Sequence, residues 1–210
     1  MLNRLTSRLY ALHKVGSLAD QTLVSGGNFL ALVICAHSLP LAEQGNFTYV
    51  FASYIALLLL NVAGIFQGAA VRAPTREHRA YKTTLARMQL LQAFLLALLV
   101  VCAWLSAGGI LGWQITNTEA WLFFAFLVLQ QLADFDRRIA YIFSSTKRAL
   151  FSSAMLYPIR IIGLLTIQPE TVSQVLAILV LSSIIPAAFT VFAACCRIRE
   201  GIQSWMDTAI

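Results

Sequence analysis

The stretch LADQTLVSGGNF, residues 18–29, opens the first long apolar run of this 210-residue chain. Asp20 and Gln21 stand at its start, and Ser25 and Asn28 follow about two turns further on. A plain membrane anchor carries leucines at such positions, because polar groups are costly in lipid. We therefore predict a membrane helix with a polar side.

Composition supports a membrane protein throughout. Hydrophobic residues make up 59% of the chain and charged residues only 11%, and the mean hydropathy is +0.76. Soluble domains carry about 25% charged residues. The net charge of +6 comes from short basic clusters between apolar runs, a juxtamembrane pattern that does not indicate nucleic acid. The cysteines lack the spacing of a disulfide framework or a metal site, and no cofactor is expected.

Six runs have a length close to the roughly 20 apolar residues that a membrane-spanning helix needs. They are too long and too evenly apolar for barrel strands, so the expected fold class is an all-α integral membrane protein. The predicted spans are residues 18–38, 47–71, 83–107, 120–143, 149–167 and 171–194. Residues 1–17 are either an amphipathic cytoplasmic helix or a frayed tail, and residues 195–210 form a cytoplasmic tail.

Lysines and arginines set the predicted orientation. Of the fifteen basic residues, all except Arg160 lie before the first span or around the inner ends of the second, fourth and sixth spans. The intervening loops contain Glu43, Glu119 and Glu170 but no basic residue. By the positive-inside rule both termini are cytoplasmic. We expect a multi-pass protein of a bacterial inner membrane.

Arg160 lies eleven residues beyond Ala149, which places it about 16 Å into the fifth span, near the midplane. A charge at that depth faces the bundle interior, a cavity or a partner. It could bind an anionic group such as a lipid phosphate, which suits the planar guanidinium. It could equally pair with Asp20 or Asp134, or snorkel towards Glu170.

The fourth span ends in polar residues that share one helix face. Gln130, Asp134, Arg137 or Arg138, and Tyr141 recur at intervals of three and four residues. Asp134 and Arg138 form an i, i+4 pair. This face is either the rim of a cavity or a solvated face of a helix that protrudes into the cytoplasm.

In the first span, Asp20 is expected to cap the helix N-terminus, beside Gln21. Asn28 lies deeper, so it either hydrogen-bonds a neighbouring helix or lines a polar cavity. Ser25 lacks the preceding glycine found in rhomboid-type proteases, and the histidines lie in or near loops. With no metal-binding or phosphate-loop motif either, the chain is not expected to be an enzyme.

Residues 19–51, ADQTLVSGGNFLALVICAHSLPLAEQGNFTYVF, resemble the opening of Wzx-type polysaccharide flippases, which belong with the MATE drug exporters in one superfamily. Residues 129–150, LQQLADFDRRIAYIFSSTKRAL, also look like their fourth helix and basic turn. His37 and Pro40 depart from the pattern. The positions that match it are Ser25, Asn28, Phe29, Ala36, Leu39, Gly45, Asn46 and Phe47.

The resemblance implies two six-helix lobes with alternating access to a central cavity, which the first two helices of each lobe line. It implies a lipid-linked glycan as substrate, moved to the outer leaflet. Because this chain corresponds to one lobe, a second copy or a separate C-terminal lobe would complete the transporter. Candidate path residues are Arg160, Asn28, Ser25, Asp134, Arg138 and Gln130. A cation-coupled drug exporter lobe and a non-transporting scaffold or truncated remnant are the alternatives.

Overall fold

The computed structural model describes residues 2–72, 78–111, 116–142 and 146–208, and this part of the chain is helical with no strand. The predicted all-α class is confirmed. The second helix is interrupted, because α-helical Leu41–Asn61 and Gln67–Arg72 flank a π-helical turn at Val62–Phe66. The six helices are α1 Leu2–Ser38, α2 (residues 41–72), α3 His78–Leu111, α4 Asn117–Ile142, α5 Thr146–Ile167 and α6 Val172–Thr208.

Hydrogen bonds from side chains explain helix ends that hydrophobicity does not predict. The α4 helix begins three residues before the predicted span, because Thr116 and Glu119 form a capping box. The Thr116 N–H donates to Glu119 Oε2 at 2.8 Å, and the Glu119 N–H donates to Thr116 Oγ1 at 3.2 Å. Gln44 of α2 donates to the carbonyls of Ala36 and Leu39, at 2.8 and 2.9 Å, which satisfies acceptors at the end of α1.

The first and last helices are longer than the spans predicted within them. The α1 helix begins at Leu2, so no break separates the predicted N-terminal segment from the first span. The α6 helix likewise continues past residue 194 to Thr208. The side chains of residues 1–14 and 192–210 lie outside the described part. These include most of the predicted amphipathic segment, residues 1–17, and all of the predicted tail, residues 195–210.

The α4 helix is the centre of the bundle. It has extensive contacts with α6 and α3 and also packs against α5, while α1 packs mainly against α5. Every α4 residue from 130 to 136 is buried. The α2 helix, by contrast, has few contacts with the other helices. The charged middle of α4 is therefore enclosed by protein, and α2 is the least anchored wall.

Within the described residues, four helical segments are long and apolar enough to cross a membrane: Val15–Ser38, Leu41–Phe66, Thr84–Ser106 and Thr146–Ile167. The α4 helix is not among them, and its residues 134–138 contain four charges. The apolar part of α6, Val172–Ala188, is shorter. The result agrees with a membrane protein. The count of six spans and the cytoplasmic termini stay predictions.

Candidate functional site

Arg160 is the most deeply buried charged side chain of α5, with 1% of its surface exposed. Its Nη2 donates to Gln130 Oε1 on α4 at 2.5 Å. The hydroxyl oxygens of Ser182 and Ser183 on α6 lie 3.4 Å from Nε and Nη2, respectively. These partners are all neutral. Within the described residues, no Asp or Glu forms an ion pair with Arg160, so neither predicted pairing occurs.

Two aromatic rings complete the surroundings of the guanidinium. Its central carbon lies 5.6 Å from the ring centroid of Phe126 and 5.5 Å from that of Tyr157. Such ring faces attract a cation. They do not neutralise it, and a buried charge without a counter-charge is costly. Arg160 is therefore held in place by neutral groups and is still able to attract an anion.

A small cavity lies beside Arg160, between α1, α2, α4, α5 and α6. It offers about 20 Å³ to the centres of water molecules, which is room for about one water. Asn28 also lines it. The structure thus brings together two residues singled out by the sequence. The remaining wall is Ala31, Cys35, Phe47, Val50, Phe51, Tyr54, Phe126 and Leu179.

Asp20 lies at the centre of a second polar group, near the C-terminal end of α4. Its side chain is fully buried. Asp20 Oδ2 accepts hydrogen bonds from Arg137 Nη1 at 3.1 Å and from the Tyr141 hydroxyl at 2.7 Å. Its other oxygen accepts one from the Ser153 hydroxyl. The carboxylate therefore ties α1 to both α4 and α5.

The expected capping role of Asp20 is not what the structure shows. Because α1 begins at Leu2, Asp20 lies about five turns inside the helix, where no free N–H groups need a cap. Asp134 forms the predicted pair with Arg138 at 3.3 Å and a further pair with Arg137 at 3.0 Å. We call Asp20, Asp134, Arg137 and Arg138 the ion-pair cluster. Two carboxylates balance two guanidinium groups within it.

Other candidate residues fall outside both groups. Ser25 and Gln21 are exposed on α1. Ser153 and Tyr157 were not predicted from the sequence, although a signal was present. Together with Arg160 they recur at intervals of four and three residues, which places them on one face of α5.

Among the described residues there is no group of three or more His, Cys, Asp or Glu side chains that could hold a metal ion. No protein-family model, curated protein or solved structure matches this chain. The function of the chain therefore has to be inferred from the residues of the site.

Proposed function

We propose that this chain is one lobe of a flippase-like transporter, which moves a lipid-linked oligosaccharide or polysaccharide precursor across a bacterial inner membrane. The observation that carries the proposal is Arg160. It is a buried cation beside a cavity and has only neutral hydrogen-bond partners in the described part of the chain.

The chemistry of the guanidinium suits a phosphate. Its planar set of N–H donors matches phosphate oxygens, and it is more weakly hydrated than an ammonium group. Arg160 Nη2 donates a short hydrogen bond to Gln130, at 2.5 Å, whereas the contacts of the guanidinium with the hydroxyl oxygens of Ser182 and Ser183 are long, at 3.4 Å. An anion that approaches through the cavity can replace the weak contacts and supply the missing charge. Asn28, on the same cavity, offers a carboxamide for further hydrogen bonds.

The size of the cavity requires that it open before a phosphate can enter, because it has room for about one water. The α2 helix supplies the wall residues Phe47, Val50, Phe51 and Tyr54, and it has few contacts with the other helices. We expect α2 to move away from Arg160 when substrate loads. This agrees with alternating access, in which a second copy or a separate lobe encloses the substrate from the other side.

A cation-coupled drug exporter draws less support from the contacts. Such a carrier needs a buried carboxylate that is free to exchange an ion. Asp20 already accepts three hydrogen bonds, and Asp134 pairs with two arginines. The surplus charge of this site is positive, which favours an anionic substrate.

The test is translocation of a fluorescent polyprenyl-diphosphate disaccharide in proteoliposomes, measured by protection from dithionite. Arg160→Gln keeps hydrogen-bonding capacity but removes the charge, and we expect it to abolish translocation. Arg87→Gln is the matched control, because Arg87 is an exposed arginine on α3, and it should leave the rate unchanged. Full activity of Arg160→Gln at wild-type protein levels would remove Arg160 from the mechanism.

A further inference from the structure

Unpartnered polar atoms are confined to one chemical type in this bundle. In the described part of the chain, the buried side-chain atoms without a hydrogen-bond partner belong to four carboxamides: Asn61, Gln89, Gln130 and Gln131. Gln130 belongs to the Arg160 site. The other three lie on α2, α3 and α4, and their side chains are at most 2% exposed. None of these three was assigned a role from the sequence.

The positions of these three residues along α2, α3 and α4 place them at a similar depth in the bundle. Gln89 Nε2 lies 3.5 Å from Gln131 Oε1, at the limit of a hydrogen bond. Asn61 is placed at their level by the apolar layers on either side. About one turn away in one direction, α2 and α4 contribute Leu57 and Leu127 to the larger core. About one turn away in the other, Phe66, Leu85 and Phe135 belong to the smaller core, where the rings of Phe66 and Phe135 lie 6.0 Å apart.

We propose that Asn61, Gln89 and Gln131 form a buried hydration site, in which water bridges α2, α3 and α4. The free acceptors are Asn61 Oδ1 and Gln89 Oε1, and the free donors are Asn61 Nδ2 and Gln131 Nε2. Water has two donor hydrogens and two acceptor lone pairs, so it matches this set. Buried waters typically make about three hydrogen bonds to polar groups that otherwise have none.

The same set does not suit a metal cation. Cation sites need several oxygen ligands. Here two of the four free atoms are amide nitrogens, which repel a cation. Among the described residues, the nearest carboxylates along α4 are already engaged, because Asp134 pairs with arginines and Asp136 pairs with Arg148. The π-helical turn that starts directly after Asn61 fits a hydrated site, because such turns disturb the regular helical hydrogen bonds and are frequent at functional sites.

The experiment is water-edited solid-state NMR on the labelled full chain in liposomes. Carboxamide signals of Asn61 and Gln131 are assigned from Asn61→Leu and Gln131→Leu. We expect water magnetisation to reach both carboxamides quickly. Transfer to the buried methyl groups of Leu127, one turn away from Gln131, should be slow. Transfer to the carboxamides as slow as to Leu127 would overturn the proposal.

Two further measurements test the assignment. In Asn61→Leu, transfer to Gln131 should be lost while the remaining spectrum is unchanged, and fast transfer that persists would show that Asn61 is not part of the site. Replacement of Na⁺ by N-methylglucamine should leave the carboxamide shifts unchanged. A sodium-dependent shift would replace the hydration site with a cation site. Neither result depends on the transported substrate.

Discussion

Replacement of Gly27 by alanine would place a methyl group against Tyr157, because α1 lies very close to α5 there. An added Cβ would lie 2.7 Å from Cγ and 2.8 Å from Cβ of Tyr157, and nearer still to Cδ1. Carbon atoms in contact are about 3.5–4.0 Å apart. Since Cβ of Tyr157 is fixed to the backbone of α5, rotation of the ring cannot relieve the overlap, and the two helices must separate.

The neighbouring Gly26 provides a matched control, because a Cβ there would meet nothing within 4 Å. Overpacking costs about 1–3 kcal/mol, and a clash of this depth belongs at the upper end. Alanine in a helix returns about 0.5–1 kcal/mol relative to glycine. The net loss in Gly27→Ala is therefore about 2 kcal/mol, or roughly 4–8 °C in melting temperature for a chain of this size. The melting temperature of Gly26→Ala should be higher than that of the wild type by about 1–4 °C.

The assay is thermal unfolding of the purified variants in one detergent, followed by tryptophan fluorescence. The decisive result is the direction of the change in melting temperature, which should be opposite for the two variants. The two substitutions are chemically identical and lie at adjacent positions. Gly27→Ala should also lower translocation, because displaced Tyr157 no longer flanks Arg160. A Gly27→Ala protein that melts at or above the wild type would refute the close approach of α1 and α5.

Two more predictions concern the buried groups. Asp20→Asn leaves an amide facing three donors and removes one of the two carboxylates that pair with Arg137, which should cost about 3 kcal/mol, or roughly 6–12 °C in the same melting assay. Gln21→Ala, on the exposed side of α1, should have the melting temperature of the wild type. Equal melting temperatures of the two variants would contradict the ion-pair cluster. Cys35 lines the cavity with Arg160, so in a background without the other cysteines it can be labelled by methanethiosulfonates once the cavity opens. Arg160→Gln should lower the labelling rate of an anionic reagent relative to that of a cationic one. An unchanged ratio of the two rates in Arg160→Gln would contradict an anion-attracting site.

The fold class could be predicted because it depends on features that act locally. Long apolar runs dictate helices in lipid, and the depth of Arg160 follows from counting along one run. Helix ends were predicted less well, because they depend on single hydrogen bonds. The capping box at Thr116 and Glu119 begins α4 before hydrophobicity rises, and it was overlooked although its spacing is visible in the sequence.

The partners of the buried charges could not be predicted from one sequence. Asp20 and Arg137 are 117 residues apart, and nothing local determines that they meet. The role of Asp20 differs from the predicted one because α1 begins at Leu2. A carboxylate at the start of a helix can cap it, whereas a buried carboxylate within the helix needs hydrogen bonds from side chains. The sequence singled out Asn28 and Arg160, but their common cavity depends on the packing of five helices.

The charge balance of the bundle explains why Arg160 is the residue to test. Within the ion-pair cluster, the two carboxylates of Asp20 and Asp134 are fully used by two arginines. If Arg160 paired with either carboxylate, an arginine of the cluster would lose its partner. Breaking a buried ion pair costs about 3–5 kcal/mol. No rearrangement among these groups can therefore supply the counter-charge. Under the proposed function the counter-charge comes from outside this set, as an anion that enters through the cavity beside Arg160.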